Sequence, residues 1–329
     1  MNWEGTRVLV TGAGGFIGSH LTEELVRRGA RVTALAKYNA NSSWGNLELL
    51  PAEVQADLRV ELGDIRDPFL MRRLVEGQDV VIHLAALIGI PFSYVAPHSY
   101  VETNIAGTLN LLEACKLHDA RMVHTSTSET YGTARYTPMD EQHPLQGQSP
   151  YSASKIGADK MAESYYLSFR TRVSTLRPFN TFGPRQSARA IIPTIVSQIA
   201  AGQSRIKLGS LSPVRDLLFV KDTVAAFVAM AERDDTLGQV VHVGTGRGVT
   251  MGDLAALIAK LMGVDAIFET EEARVRPEHS EVMELICNPD RARRLLGWEP
   301  RHTLEEGLAE TIAAVREQLG RYSVGRYAV

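Results

Sequence analysis

Tyr151-Ser152-Ala153-Ser154-Lys155 sets a phenol and an ammonium four residues apart. That spacing puts both on one face of a helix. A free tyrosine has a pKa of about 10, too high for a base at neutral pH. A cation beside it favours the phenolate and lowers that value. Such a pair suits removal of a hydroxyl proton while hydride leaves the same carbon of a sugar or alcohol. The motif alone is common by chance, so its meaning depends on what surrounds it.

The needed company stands near the N-terminus. Val8-Leu9-Val10-Thr11 runs into Gly12-Ala13-Gly14-Gly15-Phe16-Ile17-Gly18 and then an amphipathic stretch. A strand, a glycine-rich turn and a helix N-terminus together make a pyrophosphate cradle, because free N–H groups and the helix dipole face the anion. The spacing Gly12-x-x-Gly15-x-x-Gly18 departs by one residue from the usual dinucleotide fingerprint. A plain tight turn is the bland alternative, but the position after a first strand favours a nicotinamide dinucleotide, NAD(P). The acid that would hold the adenosine ribose of NAD is absent at the end of the second strand, where Lys37 stands. Lys37 pairing with a 2′-phosphate would favour NADP over NAD; a solvated lysine is the competing reading. Asp64-Ile65, after the third strand, are candidates for the adenine edge.

Elements must bring these groups together. Apolar runs over 7–11, 31–36, 59–61, 79–83, 122–126 and 174–177 alternate with helical patterns over 16–28, 68–75, 99–117 and 151–169. Phe16, Ile17, His20, Leu21, Glu24, Leu25 and Arg28 follow the spacing of one helix face packed on a sheet. The alternation predicts α/β architecture, a Rossmann-type doubly wound parallel sheet built by right-handed crossovers. After Pro178 the rhythm changes, with loop signals at 183–185 and 209–213. Helices are expected over 191–201, 222–231, 250–262 and 304–319, and strands over 217–220 and 239–243. This predicts a smaller α/β C-terminal substrate domain interleaved with the first. Residues 1–178 with about 217–248 would form the cofactor half, and 179–216 with 249–329 the substrate half.

Composition narrows the classes. At about 150 residues per domain, 329 residues suggest two domains. With 44% hydrophobic and 22% charged residues the chain is not of disordered type. Lys and Arg number 35 against 38 Asp and Glu, a net charge of −3, which argues against a nucleic-acid partner. Cys115 and Cys287 are too few and too far apart for a zinc site or a secreted disulfide scaffold. Two buried thiols in a reducing compartment are expected. The histidines show no metal spacing, so no metal site is predicted. The N-terminus lacks the apolar core of a signal peptide, and no apolar run approaches 18 residues. The expectation is a cytoplasmic protein with no membrane partner.

Further motifs accompany the pair and the glycine turn: His83-Leu84-Ala85-Ala86, Asn104-x-x-Gly107-Thr108, Arg177-Pro178-Phe179-Asn180, Arg215-Asp216, Asp222 and Arg276-Pro277. With these, nearly the whole chain resembles an extended short-chain dehydrogenase/reductase of the nucleotide-sugar epimerase/dehydratase family. The segments 41–45 and 87–94, with Thr127-Ser128-Glu129, are most like the GDP-mannose and GDP-N-acetylglucosamine 4,6-dehydratases.

The resemblance implies roles. Gly12, Gly15, Phe16, Ile17, Gly18, Lys37, Asp64, Ile65, Leu84, Ala85, Ala86, Tyr151, Lys155 and Pro178 would bind a tightly held, recycled NAD(P). Tyr151, Lys155, Thr127, Ser128 and Glu129 would form the catalytic group. Tyr151 removes the 4-hydroxyl proton, Thr127 hydrogen-bonds that hydroxyl, and Glu129 takes the C5 proton made acidic by the 4-ketone. Ser128 occupies the place of an aspartic acid in the dTDP-glucose enzymes, so Glu129 or a water must protonate the departing C6 hydroxyl. Asn180, Arg185, Arg215 and Arg276 would bind the sugar nucleotide, with arginine forks on its diphosphate. The expected product is a 4-keto-6-deoxy sugar. The alternatives are a 4-epimerase of a UDP-hexose or UDP-uronate, which needs no carboxylate at 129, and a UDP-glucuronate decarboxylase. A homodimer joined through the helices at 99–117 and 151–169 is also implied.

Overall fold

The computed structural model describes residues 2–322 and 324. Its first half runs β1 (Arg7–Thr11), α1 (Phe16–Arg27), β2 (Arg31–Lys37), α2 (Ala52–Ala56), β3 (Arg59–Gly63), α3 (Pro68–Val75), β4 (Val80–His83), α4 (Ile90–Val95), α5 (Pro97–Tyr100), α6 (Gly107–His118), β5 (Arg121–Thr125), α7 (Pro150–Phe169) and β6 (Val173–Pro178). The second half adds β7 (Asn180–Phe182), α8 (Ile191–Ala200), β8 (Arg205–Leu208), β9 (Val214–Phe219), α9 (Val220–Glu232), β10 (Val240–Val243), β11 (Gly248–Thr250), α10 (Met251–Met262), β12 (Ile267–Thr270), β13 (Glu284–Leu285), α11 (Asp290–Leu296) and α12 (Leu304–Glu317).

Seven strands pair in parallel in the order β10-β6-β5-β4-β1-β2-β3. Strands covered on both faces must be apolar throughout. Val8, Leu9 and Val10 of β1 and Val80, Val81 and Ile82 of β4 meet that demand, all fully buried. This is the expected doubly wound sheet. Its strand order reverses between β1 and β4, so a crevice opens there at the carboxyl ends of the strands. The glycine turn follows β1, Leu84-Ala85-Ala86 follow β4, and Thr127-Ser128-Glu129 follow β5. Every candidate cofactor or catalytic residue outside the helices thus sits on that one edge.

β10 returns to the main sheet beside β6, whereas β9 lies in a small separate sheet with β7, β11 and β13. β8 and β12 form a further pair. β9 answers the strand expected over 217–220, whereas β7, β8, β11, β12, β13 and α2 were not expected. The helix expected over 99–117 is interrupted: α5 leads into a π-helical turn, Val101–Ala106, before α6. The wider turn lets Asn104 point inward, where its amide accepts from Leu87 N–H at 2.8 Å and donates to Leu87 O and Ser154 Oγ, both at 2.9 Å. Both cysteines are free and buried, as expected. Among the described residues no helix is long and apolar enough to cross a membrane, and no cluster of metal-ligating side chains forms.

Candidate active site

A cavity of about 880 Å³ opens along the carboxyl edge of the sheet. Its lining includes every residue assigned to the cofactor: Gly12, Gly15, Phe16, Ile17, Gly18, Lys37, Asp64, Ile65, Leu84, Ala85, Ala86, Tyr151, Lys155 and Pro178. Thr127, Ser128, Glu129, Asn180 and Arg276 line the same cavity. At Gly12, with φ +70°, an added Cβ would stand 2.7 Å from Ala85 N; at Gly18 it would stand 2.2 Å from Gly12 O. Only glycine lets the turn, the strand end and α1 approach this closely. Such a cradle fits a dinucleotide pyrophosphate, so the residues present suit the nicotinamide cofactor. The loop after β2 packs on the turn, with Asn46 N–H donating to Gly14 O at 2.9 Å. Lys37 is exposed at the cavity mouth, and Asp64 is paired with Arg66 at 2.7 Å.

Hydrogen bonds fix the floor beneath the crevice. Thr108 Oγ1 donates to Asn104 O at 2.6 Å, so its lone pair faces His83 Nε2 at 3.0 Å. His83 Nδ1 then accepts from Thr11 at 2.8 Å, and Thr11 Oγ1 accepts from Ala85 N–H at 3.2 Å. A neutral ring satisfies this chain, and burial, with His124 and Lys155 nearby, keeps His83 well below its ordinary value. His83 therefore ties β1, β4 and α6 together below the cleft.

α7 carries the reacting pair. Ser149 caps it through a reciprocal pair with Ser152, and Pro150 opens it. Tyr151 thus sits in the first turn, where the positive helix end favours an anion. Burial pushes its phenol up, opposed by a hydrogen bond with Thr127. Lys155, one turn on, donates to Thr125 O at 2.7 Å. Burial lowers it to about 8. One turn further, Asp159 accepts from His124 at 3.0 Å, Ser126 at 2.5 Å and Arg177 at 2.7 Å. Burial raises such a carboxyl, but Arg177, His124 and Lys155 outweigh it and hold Asp159 below the usual range. Arg177 also donates to Tyr131, which meets His242. This network was missed as a functional element, although Tyr151, Lys155 and Asp159 repeat every four residues along one helix face.

Glu129 is buried in the turn after β5, which packs against α7, near enough to act on Tyr151 electrostatically. Its Oε2 lies 3.9 Å from Arg276 Nη1. Arg276 also approaches Glu281 at 3.5 Å, and Arg215 approaches Glu281 at 3.4 Å. Arg215 stands behind this cluster and outside the cavity lining. Glu281 was not anticipated, since nothing in its spacing marks it. Asn180 Oδ1 is buried with no hydrogen-bond partner. Arg185 is not brought to the cavity: it pairs with Glu23 of α1 at 2.7 Å.

The arrangement has known counterparts. The sequence profile of the family described as GDP-mannose 4,6 dehydratase matches residues 9–311. A dTDP-glucose 4,6-dehydratase of Actinoplanes is 34% identical over 94% of this chain and 98% of its own length. The crystal structure of DesIV, a dTDP-glucose 4,6-dehydratase of Streptomyces venezuelae with NAD and TYD bound, superposes with a TM-score of 0.85 at 29% identity, covering 97% of this chain and 99% of that one. A UDP-glucuronic acid 4-epimerase of Bacillus cereus, in complex with UDP-glucuronic acid and NAD, gives a TM-score of 0.87 at 26% identity over 95% of this chain and 100% of that one. With the profile spanning most of the chain, this protein belongs to the GDP-mannose 4,6-dehydratase family, within the nucleotide-sugar dehydratase and epimerase branch of the extended short-chain dehydrogenases/reductases.

Proposed function

We propose that this chain is a nucleotide-sugar 4,6-dehydratase, an NAD(P)-dependent lyase that converts an NDP-hexose or NDP-N-acetylhexosamine to its 4-keto-6-deoxy form. The observation that carries the reading is a buried carboxylate, Glu129, in the same cavity as Tyr151, Lys155 and Thr127. When bound, the nicotinamide supplies the acceptor for hydride from C4 and its donor to C6. Tyr151, as phenolate, takes the 4-hydroxyl proton, with Thr127 orienting that hydroxyl. Lys155 and the first turn of α7 stabilise the phenolate. Glu129 removes the proton from C5. Ser128 is a poor acid, so Glu129, now protonated, or a water delivers a proton to the C6 hydroxyl, which leaves as water. As C6 gains hydride, C5 regains a proton from water, and Tyr151 releases the proton it took to solvent. Asn180, Arg215 and Arg276 hold the nucleotide diphosphate. Arg185, already paired with Glu23, has the weaker claim.

The parallel-sheet half holds the cofactor, and segments 179–216 and 249–329 hold the sugar nucleotide. Lys37 at the cavity mouth supports NADP over NAD, and identification of the cofactor released from purified protein tests that preference. Free, buried thiols support a reducing, cytoplasmic setting. The chain pairs with a second copy through helices 97–118 and α7, which expose the apolar side chains Val101, Leu117, Leu167 and Phe169. A monomer in sedimentation at micromolar concentration would refute this pairing.

The first test is mass spectrometry of products from GDP-, UDP-, dTDP- and CDP-linked hexoses, N-acetylhexosamines and uronates, without added reductant. Loss of one water from a member establishes the dehydratase and names its substrate. In that reaction Glu129→Gln lowers water loss by about 100-fold or more, while oxidation at C4 stays visible as cofactor reduction. Full turnover by Glu129→Gln would remove it as the base. Likeness to epimerases favours one alternative, a UDP-sugar or UDP-uronate 4-epimerase, which would give products of unchanged mass.

A further inference from the structure

Two basic and two acidic side chains from separate segments meet at one end of the cavity. Arg215 comes from β9, Arg276 and Glu281 from the segment before β13, and Glu129 from the turn after β5. Glu281 Oε1 lies 3.4 Å from Arg215 Nη2 and 3.5 Å from Arg276 Nη1. Arg276 Nη1 stands 3.9 Å from Glu129 Oε2. The four charges cancel, yet the pairing is incomplete. Arg276 Nη1 is buried and makes no hydrogen bond, although two carboxylates are within ion-pair reach and Arg276 lines the cavity. Glu281 is held from behind: its N–H donates to Pro277 O at 3.1 Å, and the next residue, Val282, is packed among Tyr131, Met139, Phe179 and Leu285. The carboxylate is the fixed member of the cluster, and Arg276, half-exposed on a loop, is the adjustable one.

We propose that Glu281 is a positioning residue that competes with the diphosphate of the sugar nucleotide for Arg276 and Arg215. The proposal rests on the reading of those arginines as diphosphate ligands. A carboxylate and a phosphoryl group seek the same planar N–H fork. In the free protein Glu281 keeps both guanidiniums near the cavity while cancelling their charge. A nucleoside diphosphate must draw Arg276 away from Glu281. The same movement takes Arg276 from Glu129, so the general base loses its counter-ion only when a nucleotide is seated. Binding at the diphosphate is thereby linked to readiness at C5, some distance along the same ligand.

Calorimetric titration of UDP, GDP, dTDP and CDP into the purified holoprotein tests this without turnover. Arg276→Ala and Arg215→Ala are expected to weaken the best-held nucleoside diphosphate about ten-fold. Glu281→Gln is expected to tighten it about five-fold, the low end of ordinary coupling between two competing groups. Glu281→Asp, which retracts the carboxylate but keeps its charge, should move affinity in the same direction by less. Adding Arg276→Ala to Glu281→Gln should remove most of the gain. A purely structural glutamate would give weaker binding or none of this tightening. If the arginine variants weaken binding but neither Glu281 variant tightens it, the competition is overturned and the arginine reading stands. Arginine variants that bind like the natural protein would overturn both.

Discussion

Lys155 is lowered by burial to about 8, so it remains largely charged at neutral pH but close to the point of losing its proton. Tyr151 beside it is pushed up by burial, and Thr127 is the hydrogen-bonding partner that opposes the shift. A cation one turn away favours the phenolate, so removing it makes the phenol harder to ionise. Lys155→Met is therefore expected to lower kcat at pH 7.5 by about 100-fold or more. It should also move the rising limb of activity to higher pH, which a pH–kcat profile measures. A variant with reduced kcat but an unmoved limb would show that Lys155 acts by position alone. The Tyr151–Lys155 spacing was legible at this scale because four residues on a helix define a contact. Glu281 was not, because its partners Arg215 and Arg276 reach it through a fold that brings β9 beside the segment before β13.

Among the elements, the interrupted helix before α6 has the most local consequence. Asn104 in the π-helical turn satisfies both backbone groups of Leu87 and reaches Ser154 on α7. The loop over the cavity and the helix of the reacting pair are thus joined through one amide. Asn104→Ala leaves the Leu87 N–H and C=O without their partner and is expected to cost about 3 kcal/mol. Denaturant unfolding reads that loss, and an unchanged midpoint would refute it. Periodicity predicts one helix here, and a continuous apolar face gives no sign of the wider turn. The strands of the main sheet were legible because burial on both faces demands unbroken apolar runs. β8, β12 and β13 were not, since two to four residues carry too little pattern.

Over the whole molecule, buried histidines set the response to acid. Burial keeps His83 and His242 well below their ordinary value, lowers His124, and lowers His20 to about 4. The unfolded chain protonates these rings below about pH 6.5. The folded chain does not, so stability is fully present above that pH and is lost as pH falls toward the folded values. Each ring can contribute about 1.4 kcal/mol per pH unit in that window. Asp159, held low by Arg177, His124 and Lys155, adds its own loss only below about pH 4. Tm is expected to fall by roughly 5–10 °C between pH 7.5 and pH 5. Thermal melts at fixed ionic strength check this, and a flat profile would show that these rings take up protons without unfolding.

By itself the sequence determined what depends on neighbours along the chain. The glycine turn between a first strand and a helix, the Tyr151–Lys155 face and the alternation that builds a parallel sheet are all local patterns. The family motifs extend that legibility to Thr127, Glu129, Arg215 and Arg276. Tertiary structure decided which of these share a cavity and which charges are already matched. Arg185 looks like a free cation in sequence, yet α1 brings Glu23 to it. Asp159 looks like a surface acid on a helix, yet β5 and β6 enclose it with His124, Ser126 and Arg177. The reason is physical: covalent spacing fixes what lies within one helical turn or one strand, whereas charge pairing and burial depend on packing between segments as far apart as residues 129 and 276.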